Sequence, residues 1–229
     1  MTKTLIFDTG SIISITSNNL LWTLKPLKKK FIGRFCITRS AKQELIDKPL
    51  SIKRFSFEAL QTQAVINEET LSIVEGEDIY KLAEKILYLA NHLVYAHNKP
   101  IHLVSDADVE GIAAAIRLKA AAYVIDERTV RLLVEDINQI PKFMSEKLHT
   151  YIRLDTHNAE SLSKIIKGIP ILRSFELMIV AYKMGLLDHL IPSGKNGRLT
   201  LLDAVLWGMK TDGCSVTEKE IRQASKTEQ

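Results

Sequence analysis

Between Leu103 and Glu127 the chain reads LVSDADVEGIAAAIRLKAAAYVIDE, and this stretch limits the folds open to the whole protein. Asp106, Asp108 and Glu110 fall at the start of an Ala-rich helical segment. Asp126 and Glu127 follow the apolar run Ala120 to Ile125, which reads as a buried strand. A small-residue helix lies close on a sheet, so the pattern predicts an α/β protein. In an open α/β sheet the loops after the strands form the crevice where ligands bind, which would bring both acidic ends toward one pocket.

Further strand candidates carry acids in the same way. Thr4 to Phe7 is a compact apolar run ended by Asp8, Thr9 and Gly10. Phe35 to Thr38 reads as a second strand, followed by a helix capped by Thr38 or Ser40 and carrying Glu44. Leu71 to Val74 reads as an edge strand and Tyr151 to Leu154 as a late one. Glu77 to Ala96 has apolar residues at spacings of three and four, which predicts one amphipathic helix. The segment from Ser51 to Glu75 changes period midway and resists assignment before its final strand. Beyond Thr156 the pattern is helical over Ala159 to Lys167, Arg173 to Leu187 and Leu199 to Lys210, with a last helix capped by Ser215 or Thr217 and a polar tail from Lys226 to Gln229.

The bland reading of each acid is a cap. Asp8 suits a helix N-cap, and Ser105 with Asp108 three residues later suits a capping box. A cap needs one or two carboxylates, whereas Asp106, Asp108 and Glu110 alternate within five residues. Such a set is self-repulsive unless a cation relieves it.

At 229 residues, with 46% hydrophobic composition, the chain can hold a full domain and an extension. The formal charge of +4 is compatible with nucleic acid without arguing for it. Cys36 and Cys214 match neither a disulfide framework nor a CxxC site and read as reduced thiols. His92, His97 and His102 follow no zinc spacing. Met1 to Lys3 leads directly into a strand-like run, and no apolar stretch approaches the roughly 18 residues of a membrane span, so a soluble, cytoplasmic protein with no membrane partner is expected. Neither GxGxxG nor GxxxxGK[ST] occurs, and Gly10 stands where a dehalogenase-like phosphatase would carry a second Asp.

Collected in order, LIFDTGSII, TRSAKQELID, SDADVEGIAAA and AAYVIDERTVRLL resemble the PIN-domain nucleases over roughly residues 3 to 155. The resemblance implies a three-layer α/β/α domain with a short, mostly parallel central sheet, assigned to residues 1–155, and a helical C-terminal extension over 156–229. It also implies a ribonuclease dependent on Mg²⁺ or Mn²⁺, in which Asp8, Glu44, Asp108 and Asp126 are the catalytic and metal-binding acids. Asp106 is a further metal candidate, and Glu110 and Glu127 are supporting or substitute acids. Thr9 matches the hydroxyl residue after the first acid. Gly10 and Ser11 depart from the family's usual residues there, as does Ile125, where a Thr is frequent.

Converging carboxylates hold hard divalent cations, which polarise a phosphodiester and acidify a bound water. Arg128, Arg131 and the run Lys28, Lys29 and Lys30 are the expected contacts to the RNA backbone, with Thr9 beside the first acid. The family includes toxins inhibited by a paired antitoxin and also RNA-processing or quality-control enzymes, and the sequence does not choose between them, so RNA is the expected partner and an antitoxin-like protein a further candidate. The late helices are expected either to cover an apolar face or to form a homodimer interface, with Leu177, Val180 and Met184 as the candidate dimer contacts. The competing reading is a PIN-like scaffold that binds RNA or assembles with partners without cutting, since fold does not fix function. A third reading makes the acids mere caps and surface charges in an unrelated α/β protein.

Overall fold

The computed structural model describes residues 2–227. Met1, which opens the expected N-terminal run, and Glu228 and Gln229 of the expected polar tail lie outside the described residues. Five short strands form one parallel sheet: β1 (Lys3–Phe7), β2 (Gly33–Thr38), β3 (Ser72–Val74), β6 (Ala122–Val124) and β8 (Ile171–Leu172). Their spatial order is β3-β2-β1-β6-β8. The chain moves outward from β1 through β2 to β3 and then returns to the other side of β1. That reversal places a topological switch point between β1 and β6, where the crevice of an open α/β sheet forms.

Side-chain alternation divides the core between the two faces of the sheet. Ile6, Cys36, Tyr123 and Ile125 pack on one face with α5 (Glu77–Asn91), α6 (Asp106–Arg117), α7 (Arg128–Glu135), α8 (Ile140–Leu148) and α9 (Thr156–Ile166). Leu5, Phe7, Phe35, Ile37, Ala122 and Val124 pack on the other. There they meet α1 (Thr9–Ser17), α2 (Leu24–Phe31), α3 (Arg39–Lys42), α10 (Ser174–Lys183), α11 (Gly197–Thr211) and α12 (Glu218–Thr227). Another helix, α4 (Ser56–Asn67), lies against α1. The arrangement is a three-layer α/β/α fold. No helix among the described residues is long and apolar enough to cross a membrane.

Two elements differ from the sequence-based expectation. The helix expected over Glu77 to Ala96 ends at Asn91, and Val94–Ala96 is instead strand β4 in a small antiparallel sheet with β5 (Lys99–Pro100) and β7 (Arg153–Leu154). His97 and Asn98 take the left-handed conformation, at φ 48° and 61°, and so turn β4 into β5. Leu93 and Val94 continue the helical apolar spacing because they are fully buried in the same core, where spacing alone does not separate helix from strand. The second difference is β8, a strand where only a break before a helix is expected.

The C-terminal residues share the sheet and core of the N-terminal ones. β8 pairs with β6, and Phe175, Met178, Leu202 and Met209 are buried in one cluster with Phe7 and Phe35. Of the expected dimer contacts, Leu177 is buried within the monomer, Met184 is partly buried and Val180 is exposed. Arg173 ties the last helix down by donating to Glu220 at 2.8 Å and to Glu176 at 2.5 Å.

Candidate active site

Asp8 leaves β1 at the switch point. Its backbone N–H donates to Val124 O at 2.9 Å, and its side chain caps α1 by accepting from Gly10 N at 3.0 Å. It is only 5% exposed, and Oδ1 accepts from the hydroxyl of Tyr123 at 3.2 Å. Burial, and secondly the charge of Asp108, push the Asp8 carboxyl up to about 7 against the lowering effect of these hydrogen bonds. The same burial, with Asp8 and Asp108 beside it, raises Tyr123 well above the usual phenol range, so its hydroxyl stays protonated and remains a donor.

Asp108 reaches this place from α6. The expected capping box is present: Ser105 N and Oγ donate to Asp108 Oδ2 at 2.7 and 2.9 Å. Among the described residues, Oδ1 of Asp108 takes part in no hydrogen bond. Burial raises the Asp108 carboxyl, opposed by the Ser105 bonds and by the charge of His102. The close approach of α6 to the sheet rests on Gly111, since a Cβ there would fall 2.3 Å from the Tyr123 hydroxyl oxygen.

The acidic pair after β6 splits across the sheet. Asp126, 1% exposed, accepts from Ser174 N at 2.8 Å and from Ser174 Oγ at 2.5 Å, which sets it as the anion at the N-terminus of α10. Beside it, burial and then the Asp126 charge push the Cys214 thiol up to about 12. Glu127 instead shares a field with Asp108. Although it is exposed as a residue, desolvation by the surrounding protein raises its carboxyl, a Thr129 hydrogen bond opposes the rise, and Asp108 adds to it.

The alternation explains the split. Ile6 stands opposite Tyr123 and Phe7 opposite Val124, so Asp8, Tyr123 and Glu127 share the α6 face while Asp126 points to the α10 face. Counting residues by twos from Tyr123 would have selected Glu127 from the sequence.

The remaining candidates are dispersed. Glu44 lies on a π-helical turn, Gln43–Asp47, and lines a cleft with Ile13, Thr16, Phe55 and Glu58. Asp106 is exposed in the first turn of α6. Glu110 accepts from Ser40 N and Oγ at 3.0 and 2.6 Å, joining α6 to the start of α3, whose own cap is Thr38. Lys28, Lys29 and Lys30 end α2 just before β2 begins, at the edge of the sheet opposite to Asp8. Arg128 is exposed and stacks over Phe143 at 5.0 Å, while Arg131 turns to Ser215 O at 3.3 Å. Thr9 Oγ1, next to Asp8, is buried without a partner.

Among the described residues, no group of three or more His, Cys, Asp or Glu side chains is arranged to hold a metal ion. Two oxygen-donor carboxylates in mutual repulsion still fit Mg²⁺, which commonly takes one or two carboxylates and fills its other positions with water and substrate phosphate. No protein-family model matches the chain, and comparison with curated proteins and with solved structures finds no match.

Proposed function

We propose that the protein is a divalent-metal-dependent ribonuclease with its centre at Asp8 and Asp108. The observation that carries this reading is the convergence of Asp8, which ends the central strand, and Asp108, which opens the Ala-rich helix, on the Tyr123 hydroxyl, 3.2 Å from Asp8 Oδ1 and 3.4 Å from Asp108 O, where burial raises both carboxyls. No Lys or Arg forms a salt bridge with either among the described residues. Burying like charges together is costly, and the cost is relieved by a ligand cation. Asp8 and Asp108 would hold Mg²⁺ or Mn²⁺, which when bound supplies Lewis-acid activation of the phosphodiester.

The chain's own groups divide the remaining work. The Tyr123 hydroxyl holds Asp8 in orientation. Glu127, raised and on the same face, accepts the proton of the attacking water. Asp126 positions α10 beneath the site through Ser174, and Glu44 serves the substrate from the neighbouring cleft. Arg128 is the nearest basic residue in sequence after the acidic pair and contacts the RNA backbone. The setting is cytoplasmic, and an inhibitory partner protein or a second copy through Val180 belongs to the same reading. Cleavage of labelled single-stranded RNA, lost in EDTA and in Asp8→Asn, tests the proposal.

A further inference from the structure

The cleft that contains Glu44 is chemically distinct from the paired carboxylates. It has a volume of about 260 Å³ and is walled by Ile13 and Thr16 of α1, Leu45 and Pro49 of the turns after α3, Phe55 just before α4, and Ala59 and Thr62 in the first half of α4. Two carboxylates, Glu44 and Glu58, are set into this largely apolar wall. Glu58 Oε2 is buried with no hydrogen-bond partner. A buried carboxylate oxygen left unpaired is costly, so a turn of the Glu58 side chain that presents its carboxylate to an N–H donor in the cleft is favoured. The exposed ring of Phe55 lines the cleft, and exposed Lys48, Lys53 and Arg54 lie within two residues of the lining residues Pro49 and Phe55 in sequence, Arg54 lying 5.3 Å over the Phe55 ring.

We propose that this cleft is a nucleobase subsite that selects guanine in single-stranded RNA, an inference that rests on the ribonuclease reading. Apolar walls that include the Phe55 ring suit a stacked base, and the basic residues beside Pro49 and Phe55 in sequence suit the flanking phosphates. Guanine is the neutral base that presents two adjacent donors, N1–H and the N2 amino group, on its Watson–Crick edge. A carboxylate accepts both. Adenine and cytosine each place an acceptor beside their amino group, facing the carboxylate with like polarity. Along α1 the cleft at Thr16 lies about 12 Å from Asp8, eight residues at the helical rise, so a short strand spans both.

The test is calorimetric titration of the protein in EDTA with GMP, IMP and AMP. The expected result is saturable GMP binding, with IMP, which lacks the N2 amino group, and AMP weaker by about tenfold or more. Glu58→Gln loses the preference and Phe55→Ala weakens GMP, while Asp8→Asn binds it as the wild type does. Equal affinity for GMP and AMP, or a folded Glu58→Gln protein that retains the preference, overturns the subsite. Binding of arginine amide in place of GMP also overturns it and assigns the cleft to a basic side chain of a protein partner. RNA cleavage without GMP binding removes the subsite and leaves the nuclease, whereas GMP binding without cleavage retains the subsite and removes the nuclease.

Discussion

Ser174 holds both oxygens of the Asp126 carboxylate, its backbone N–H donating to Oδ1 at 2.8 Å and its hydroxyl to Oδ2 at 2.5 Å. The pair fastens the start of α10 to the end of β6 in a region where Ser174 itself is fully buried. This arrangement separates the two acids after β6 into one that positions a helix and one that faces Asp108.

Substitution at these two sites is expected to give opposite phenotypes. Ser174→Ala removes a donor from a buried carboxylate and should lower stability by about 2 to 3 kcal/mol, read by urea denaturation. Glu127→Gln should leave the denaturation midpoint unchanged or slightly raised, since it removes a carboxyl that burial and Asp108 disfavour as an anion, and should lower RNA cleavage by about 100-fold, as expected on losing a general base. A Glu127→Gln protein with full activity would remove Glu127 from the mechanism.

Asp8 gives a pH-dependent stability effect of defined sign. Its carboxyl is raised from 3.8 to about 7 in the folded protein, so between those values the folded state holds a proton that the unfolded state has released. Stability therefore falls as pH rises through this window, and the full penalty is present above about 7. Each tenfold change in proton affinity between the two states is worth about 1.4 kcal/mol, so Asp8→Asn should raise metal-free stability at pH 8 by an amount on the order of 4 kcal/mol at most. At pH 3.5 the gain should nearly vanish. A gain of equal size at both pH values would show that charge is not its source.

Gly111 sets how closely α6 approaches Tyr123. A methyl group there would fall 2.3 Å from the hydroxyl oxygen of a side chain with no exposed surface. Although Ala favours a helix by about 1 kcal/mol over Gly, overpacking costs about 1 to 3 kcal/mol, so Gly111→Ala should lower the melting temperature. Displacement of Tyr123 should also weaken Mn²⁺ binding through Asp8. An unchanged melting temperature would mean that the helix shifts freely and that the spacing is not held by this contact.

The parts of the fold legible from sequence are those governed by local chemistry. β1, β2 and β6 are apolar runs bounded by turn residues, and the caps at Thr38 and Ser105 follow from hydroxyl residues ahead of helical segments. Other parts depend on partners distant in sequence. α4 is obscure because its large apolar residues face outward, Phe57 at 67% and Leu60 at 56% exposure, while Ala59 and Thr62 are buried. β8 is two residues long and exists through its pairing with Tyr123 and Val124. The acids are visible in the sequence as a set, but their grouping is not. Asp126 turns away because strand parity places it opposite Glu127, and Glu44 sits on a π-helical turn that its sequence does not announce.

The measurement that most directly tests the account is cleavage of labelled single-stranded RNA in Mn²⁺, with Mn²⁺ binding followed by calorimetry on the same preparations of wild type, Asp8→Asn and Asp108→Asn. Metal binding and cleavage by the wild type, both lost in the two folded variants and cleavage lost in EDTA, are the predicted result. A wild-type protein that neither binds Mn²⁺ nor cuts RNA, or one whose cutting survives loss of both carboxylates, would contradict it.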